Sequence, residues 1–443
     1  MLKNYFTIAY RNLKKHKVFS LVNIVGLAVG LAVFWLMALY IADELSFDRW
    51  ENNADRIYRV VHSAEWPAGK FRLAPTSAPF APALKKDFSE IEETARIDPE
   101  GGGTILYQDK KIQAGDIFFA DNSFLTIFQL SFLAGDSREA LSKPNSIVLT
   151  RTLAEKIFGN VEDALGKTIT FQPDVPAQVT GIIEDIPANS HLGFSALRGM
   201  PDLSQAAWQD FSIYTYVLLR KNADPRQLEA GFPAFFQRYL RPFMDKTQYH
   251  MWLQPLSSIH LHSAGLSYDI GRNNSDIRYI WLFSAIALLI LVIAVINYIN
   301  LSTARSSVRV KEVGVRKVIG SGRRQLINLF LAESVLFTLI AAAISVALAG
   351  ILIPFFNQLS GKSLSLWQFG AIPTLTILVS FSVLAGLAGG FYPALFLSGF
   401  RTIPALKGQQ GSQKTNVIFR KSLVTFQFVV TIVLIAGSIT LYR

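Results

Sequence analysis

The sequence predicts an α-helical integral membrane protein with a large α+β extracytoplasmic domain, which is expected to have two lobes. Three observations lead to this fold class. The 443-residue chain is 51% apolar and only 17% charged, whereas soluble domains carry nearer a quarter charged residues. Five long apolar runs divide the chain. The Lys and Arg residues are distributed very unevenly among the segments between those runs.

Each apolar run is long enough to cross a bilayer, because about 20 apolar residues in a helix span the hydrocarbon core. The predicted spans are residues 21–42, 279–301, 330–356, 372–397 and 422–442. The first span includes 19 consecutive uncharged residues, and the apolar stretch of a signal peptide is shorter, roughly 7–15 residues. We therefore interpret the first span as a retained anchor.

The positive charge lies on one side of these spans. Segments 1–20, 302–329 and 398–421 hold seventeen Lys and Arg, with Glu312 as their only acid. Segment 43–278 holds 30 Asp and Glu against 24 Lys and Arg. Because Lys and Arg concentrate in cytoplasmic loops, we predict a multi-pass protein of a bacterial inner (plasma) membrane. Its N-terminus is expected to be cytoplasmic, with a basic helix over the first 20 residues.

The segment 43–278 is long enough for one large or two small domains, and it mixes strand and helix signals. Residues 167–171 and 178–183 are expected to pair as strands across a Pro-containing turn, and residues 225–240 to form one helix. A lobe of about residues 106–200 is expected to be inserted into the remainder of this domain.

The sequence shows no catalytic constellation. The absence of Cys excludes thiolate nucleophiles, thiolate metal sites and disulfides. The nearest approach to a phosphate-binding loop, residues 159–168, has six residues between its glycines where four are required. Ser190 and His191 have no evident partner acid. His260 and His262 are expected on one face of a strand, without a third metal ligand nearby. We expect neither a catalytic nor a metal site.

Three polar residues inside the predicted spans are considered for a specific role. Glu333 lies early in the third span, and an ionisable group within a membrane is costly and therefore a functional candidate. We expect it to reach the membrane interface and to pair with an Arg of the basic segment 302–329. Asn297 and Asn300 end the second span and are expected to form interhelical or interfacial hydrogen bonds.

The basic segment 302–329 has an organised pattern. Its charged residues share one helical stripe, namely Arg305, Arg309, Glu312 and Arg316. Its apolar residues form a second stripe, namely Val308, Val315 and Ile319. Gly320 and Gly322 then permit a sharp bend. Two interpretations are open: the charge anchors the segment to anionic lipid, or a short helix along the membrane docks a cytoplasmic partner.

Residues 310–325 read VKEVGVRKVIGSGRRQ, which resembles the hallmark of the FtsX/MacB-type ABC transporter permeases. Several N-terminal stretches are similar to the opening of these permeases, namely YRNLKKHK (10–17), NIVGLAVG (23–30), DELSFD (43–48) and NADRIYRV (53–60). Two further stretches resemble a MacB-like periplasmic core domain, namely SIVLT (146–150) and VTGIIED (179–185).

The resemblance implies a permease subunit of an ABC transporter that exports or extracts a substrate. A separate cytoplasmic ATPase of the MacB/LolD/FtsE type would hydrolyse ATP. A coupling helix would transmit the motion of the ATPase through the spans to the periplasmic domain. This mechanism, called mechanotransmission, would here serve efflux. The chain itself would be non-catalytic and would use ATP only through its partner. The residues implied to contact the ATPase are Arg309, Lys311, Glu312, Gly314, Arg316, Lys317, Gly320, Arg323 and Arg324.

The resemblance also implies further partners: membrane lipid, a second permease half or chain that forms a dimer, and a periplasmic adaptor. No nucleic acid is expected. The simpler family members stop after four spans, so the fifth span is expected to start a truncated second half. The alternative function is an FtsX-like transmembrane regulator that controls an envelope hydrolase or a sensor without transport. A neighbouring gene for an adaptor would favour export, and one for a hydrolase would favour regulation.

Overall fold

A computed structural model describes residues 17–441 except 67–68, 245–246, 272–273, 305 and 400–412, together with Thr7, Arg11 and Lys15. The fold divides into two compact units. The outer unit is Asp43–Tyr279, and the membrane unit is the rest of the chain. The helix expected over residues 1–20 lies mostly outside the described residues.

The described helices account for all five predicted spans. In chain order they are α1 (Lys17–Leu45), α2 (Phe80–Asp87), α3 (Phe124–Ile127), α4 (Arg151–Phe158), α5 (Pro225–Glu229), α6 (Phe232–Tyr239), α7 (Ile259–His262), α8 (Ile277–Ala304), α9 (Ser306–Val318), α10 (Arg323–Ser360), α11 (Ala371–Ser398) and α12 (Gln413–Leu441). Among them α1, α8, α10, α11 and the Arg420–Gly437 part of α12 are long and apolar enough to cross a membrane. Because α12 begins at Gln413, the end of the segment expected to be a linker, 398–421, is helical.

The outer unit is built on one mixed sheet. Its described strands are β1 (Ile57–Trp66), β2 (Gly69–Leu73), β3 (Ile91–Asp98), β4 (Gly103–Tyr107), β5 (Lys110–Ala114), β6 (Ile117–Ala120), β7 (Phe132–Gly135), β8 (Ser146–Thr150), β9 (Thr168–Phe171), β10 (Val175–Ile183), β11 (Ala196–Gly199), β12 (Tyr214–Leu219) and β13 (Gln248–Pro255). Their order is β13-β1-β12-β3-β6-β11-β8-β10-β9-β4-β5, with β2 beside β1 and β7 beside β10. The α+β fold class is thereby confirmed.

The two lobes occupy the two ends of this sheet. Strands β4 to β11 form one end, and β1 to β3 with β12 and β13 form the other. The ends join where Ile97 of β3 pairs antiparallel with Ala120 of β6. The first end has a core that includes Ile105 and Ile169, and the second has an aromatic core that includes Phe235. The lobes therefore share one backbone sheet, and a third core, which includes Tyr216 of β12 and Val148 of β8, continues from one end to the other.

Two local features of the outer unit can be compared with the sequence patterns. β9 and β10 pair antiparallel, with Phe171 opposite Val175, as the pattern indicated. The single helix expected over residues 225–240 is instead two helices, α5 and α6. The break contains Gly231, where an added Cβ would lie 2.5 Å from the ring of Phe88. Pro233 in the first turn of α6 has no N–H for a continuous helix, which accounts for the break.

The histidine pair was also predicted wrongly. His260 and His262 lie on the short helix α7 rather than on a strand. His260 is buried, at 1% exposure, whereas His262 is exposed. Among the residues described, no group of three His, Cys, Asp or Glu side chains is placed to hold a metal ion.

Small residues allow the helices of the membrane unit to approach closely. A Cβ added at Gly30 of α1 would lie 2.5 Å from the Cβ of Ala294 on α8. A Cβ added at Gly390 of α11 would lie 2.5 Å from Oγ of Ser334 on α10. Apolar burial does not drive helices together in lipid, so close packing of this kind holds the bundle.

His62 on β1 lies in the aromatic core of the outer unit. Its ring centroid is 4.6 Å from that of Phe211 and 5.0 Å from that of Tyr249. Its Nε2 donates to the carbonyl oxygen of Pro75 at 2.8 Å. Burial lowers the pKa of His62 from 6.5 to about 4, and the hydrogen bond to Pro75 offsets only part of this effect. The imidazole is therefore neutral in the folded domain at pH 7.

This buried histidine predicts acid sensitivity. Because the folded pKa lies below the unfolded value, the contribution to stability is fully present above pH 6.5 and is lost as the pH falls towards about 4. The loss amounts to about 3 kcal/mol. We expect His62→Phe to flatten this decline, measured as the unfolding midpoint of the full-length chain in detergent by tryptophan fluorescence. His250→Phe, at an exposed position of β13, is the control. An unchanged pH profile in His62→Phe would contradict the assignment.

Candidate functional site

One face of α9 is fixed to two membrane helices. Val313 is 1% exposed and packs in a cluster with residues of α10 and α11, namely Leu326, Phe330, Ala394 and Leu397. Gly314 is buried next to it. The Nζ of Lys317 donates to the carbonyl oxygen of Ser398 at 2.8 Å, at a helix C-terminus where the dipole favours a cation. This face of α9 is therefore packed against α10 and α11 rather than exposed.

Another side of α9 exposes an apolar edge, defined here as Val315, Val318 and Ile319. Their exposed fractions are 50%, 65% and 79%. Positions three and four apart are neighbours on a helix surface, so these side chains form one continuous patch. The side chain of Val308, expected in the same stripe, lies outside the described residues. An exposed apolar patch bordered by charge is typical of an interaction site.

A glycine turn separates α9 from α10. Gly320 has φ +100°, a conformation that favours glycine, and its N–H donates to the carbonyl oxygen of Lys317 at 3.1 Å. Gly322 then precedes α10, and its N–H donates to the side-chain oxygen of Gln325 at 3.2 Å. The turn is therefore short and hydrogen-bonded, and it leads directly from the end of α9 into the exposed start of α10.

Arg323 and Arg324 are exposed in the first turn of α10, which contains no acid. A cation at a helix N-terminus opposes the helix dipole, at a cost of about 0.3–1 kcal/mol for each charge. These two residues, called the arginine pair below, therefore do not stabilise the helix that carries them.

The charged stripe of α9 is only partly described. Glu312 and Arg316 form an ion pair at 2.8 Å, with side chains 35% and 25% exposed. A partly exposed pair four residues apart stabilises a helix by about 0.3–0.5 kcal/mol. Arg305 and the side chains of Arg309 and Lys311 lie outside the described residues. The contribution of the stripe to any contact stays a prediction.

The intramembrane polar residues lie among packed helices. Glu333 is 2% exposed and Asn300 is 9% exposed, and within the described part of the chain Oδ1 of Asn300 has no hydrogen-bond partner. Asn297 is half-buried. Near them the Tyr298 hydroxyl and Oγ of Ser334 share a hydrogen bond of 2.7 Å between α8 and α10. The expected pairing of Glu333 with an Arg stays a prediction.

One polar cluster of the outer unit was missed in the sequence. His191 does have a partner acid: its Nδ1 donates to Oδ1 of Asp48 at 2.9 Å, across 143 residues of sequence. The hydroxyl of Tyr216 lies 2.8 Å from Nε2 on the other side of the ring. Ser190 donates to the same Asp48 oxygen rather than to the imidazole, and all four residues are buried. The cluster therefore presents no exposed nucleophile. In the sequence, Asp48 was noted only as part of the stretch DELSFD, which resembles the permease family.

Comparisons with known proteins agree with this architecture. Residues 20–234 match the family model described as the MacB-like periplasmic core domain. Residues 284–401 match the model described as the FtsX-like permease C-terminal domain. Two relatives share the name macrolide export ATP-binding/permease protein MacB. The one from Neisseria gonorrhoeae is 24% identical over 322 residues, which cover 69% of this chain and 45% of that protein.

The second relative, from Burkholderia lata, is 21% identical over 416 residues, which cover 90% of this chain and 56% of that protein. The chain thus spans about half the length of these curated relatives. Among solved structures, the periplasmic region of MacB from Actinobacillus actinomycetemcomitans is 12% identical, with a TM-score of 0.34. The match covers 46% of this chain and 91% of that one.

The fold and the two family matches define a polytopic membrane permease with an α+β extracytoplasmic domain. Within that class, the chain belongs to the FtsX/MacB-type ABC transporter permeases, as the VKEVGVRK stretch indicated.

Proposed function

We propose that this chain is the permease subunit of an ABC transporter for the export or extraction of a substrate. A separate cytoplasmic ATPase of the MacB/LolD/FtsE type would bind α9 and move the outer domain by ATP hydrolysis. The relatives are named ATP-binding/permease proteins, which supports ATP as the energy source. The one-sided distribution of Lys and Arg supports a cytoplasmic position for α9 and for the N-terminus.

The surface around the glycine turn carries this proposal. The apolar edge offers area whose burial is favourable, and the adjacent arginine pair offers charge that steers an acidic partner. The buried face of α9 connects this surface to α10 and α11. An interfacial helix on lipid also carries an apolar edge beside positive charge, so retention of an ATPase distinguishes a protein partner from lipid.

Co-purification tests the proposal. The chain, carrying an affinity tag, is co-expressed with each ABC ATPase of its source organism and purified in mild detergent. We expect one ATPase to be retained, to hydrolyse ATP faster in the complex, and to dissociate as the salt concentration rises. Retention of none of the ATPases would contradict the proposal.

The arginine pair predicts effects of opposite sign on stability and on binding. Arg323→Glu with Arg324→Glu places acids where the helix dipole favours them, so we expect a slightly higher melting temperature. The same variant should bind the ATPase at least about tenfold more weakly, because two favourable charges become unfavourable ones. Arg420→Glu with Lys421→Glu, an equal charge change at exposed positions of α12, should leave binding unchanged. Equal weakening in both variants would indicate a general charge effect instead.

A further inference from the structure

The last turn of α1 is buried in the outer unit. Glu44 belongs to α1 and is 3% exposed, and its Oε2 lies 3.0 Å from Nε2 of His260, which is 1% exposed. The ring of Phe47 stacks on the same imidazole, with centroids 3.4 Å apart and planes 5° apart. The side chain of His260 is therefore held both by a hydrogen bond to the helix and by a ring in the turn that follows it.

The backbone of His260 contacts the chain that leads into α8. Its carbonyl oxygen accepts a hydrogen bond of 2.9 Å from the N–H of Ser275, and α8 begins at Ile277. One residue of α7 thus contacts the end of α1 through its side chain and the approach to α8 through its backbone. All of these contacts lie within the outer unit, Asp43–Tyr279.

Each helix has a second attachment to the sheet. After α1, Asp48 reaches β12 through His191 and Tyr216, as described above. Before α8, Asp269 accepts hydrogen bonds from both terminal nitrogens of the fully buried Arg59 on β1. Burial alone would raise the pKa of Asp269, but the hydrogen bond and the charge of Arg59 outweigh it and lower the pKa. The carboxylate is therefore ionised, and the pair is a charge-assisted tie between β1 and the approach to α8.

The connection at α1 contains no flexible element. The helix runs without interruption to Leu45, and the sequence from Ala42 to Asn53 contains neither Gly nor Pro. The turn at residues 46–48 is itself fixed, because the N–H of Asp48 donates to the carbonyl oxygen of Asn189 at 2.8 Å. Glu44 and the turn that follows it would therefore be the first part of the outer unit to respond to a shift of α1.

From this geometry we propose that His260 is a positioning residue that converts relative movement of α1 and α8 into movement of the outer domain. The inference rests on the proposed function and assigns the transmission of movement to the contacts of His260. The polar contacts of His260 and Glu44 are buried, so removal of either side chain leaves a polar group without its partner. The end of α1 would then lose its side-chain contact with α7, while α9 would keep its contacts with α10 and α11.

The test measures ATP-driven motion of the outer domain in the complete complex. The chain has no Cys, so spin labels can be placed at two engineered cysteines, Ser137→Cys in the outer unit and Leu359→Cys at the end of α10. Both positions are exposed, Leu359 at 88%. The distance between the labels is compared with and without a trapped ATP state, in nanodiscs that contain the co-purifying ATPase.

We expect the wild-type label distance to change with ATP, and His260→Leu to lose this change while it retains ATPase binding and ATP hydrolysis. Glu44→Leu removes the same hydrogen bond from the helix side and replaces His260→Leu if that variant does not fold. His262→Leu, an exposed histidine two residues away, should behave as wild type. Ile169→Ala, in the core of the other lobe, should lower the melting temperature and keep the distance change, which separates loss of coupling from loss of stability.

The charge-swapped variant Glu44→His with His260→Glu should recover at least half of the distance change. A wild-type distance change in both His260→Leu and Glu44→Leu would overturn the inference and leave the proposed function intact. If the label distance in the wild-type complex does not change with ATP, the proposed function itself is contradicted, and so is the positioning role of His260.

Discussion

Val315→Glu combined with Ile319→Glu is expected to abolish association with the partner ATPase while the chain still inserts and folds. Both side chains are at least half exposed and lie outside the buried cluster that fixes α9 to the membrane helices. Two carboxylates would have to be desolvated in any interface formed there. Loss of central apolar contacts typically costs 2 kcal/mol or more, which is about 30-fold in affinity.

The measurement is retention of the ATPase on the tagged permease, with a matched control on the same helix pair. Leu359→Glu changes an 88% exposed residue at the far end of α10 and should leave retention at the wild-type level. Val313→Ala should have a different phenotype, because Val313 is buried: we expect a lower melting temperature with the apolar edge unchanged. Undiminished retention in the double Glu variant would exclude the apolar edge from the contact.

The second large effect is expected from Gly386→Leu in α11. A Cβ at this position would lie 2.8 Å from the Cα of Val335 and 2.5 Å from Oγ1 of Thr338, both on α10. The first of these is a backbone atom, so the helices themselves would have to separate. Overpacking of a close contact costs about 3 kcal/mol, and in lipid there is no apolar driving force to compensate for it.

Gly437→Leu provides the matched control, because an added Cβ there meets nothing within 4 Å although the residue also lies in a membrane-spanning helix. We expect a marked fall in the thermal stability of detergent-purified Gly386→Leu and little change in Gly437→Leu, measured by the loss of the monodisperse peak after heating. Equal stability of the two variants would show that α10 and α11 are not packed as described.

The spans and the strand pair β9–β10 could be predicted because their signals are local. Runs of apolar residues and a turn with Pro between alternating strands are visible within about 20 residues of sequence. The break between α5 and α6 has a local signal too, Pro233, which the prediction of a single helix overlooked. The burial of His260 against Glu44 could not be predicted in this way, because the contact spans 216 residues.

The candidate site was predicted unevenly for the same reason. The basic segment and its glycines could be predicted, because charge and glycine are properties of single residues and do not depend on tertiary contacts. Which apolar side chains of α9 face inward depends on α10 and α11, and the sequence pattern could not separate Val313 from Val315. Asp48 was overlooked as the partner of His191 because a pairing across 143 residues leaves no periodic signal.

The account depends most on which side of the membrane holds α9, and labelling of single cysteines in intact cells measures this directly. The chain has no Cys of its own, so Ser321→Cys in the glycine turn and Ser137→Cys in the outer unit each report one position. An impermeant maleimide should modify Ser137→Cys in intact cells, and should modify Ser321→Cys only after the cells are opened. Modification of Ser321→Cys in intact cells, with Ser137→Cys protected, would show the opposite topology and contradict ATPase coupling through α9.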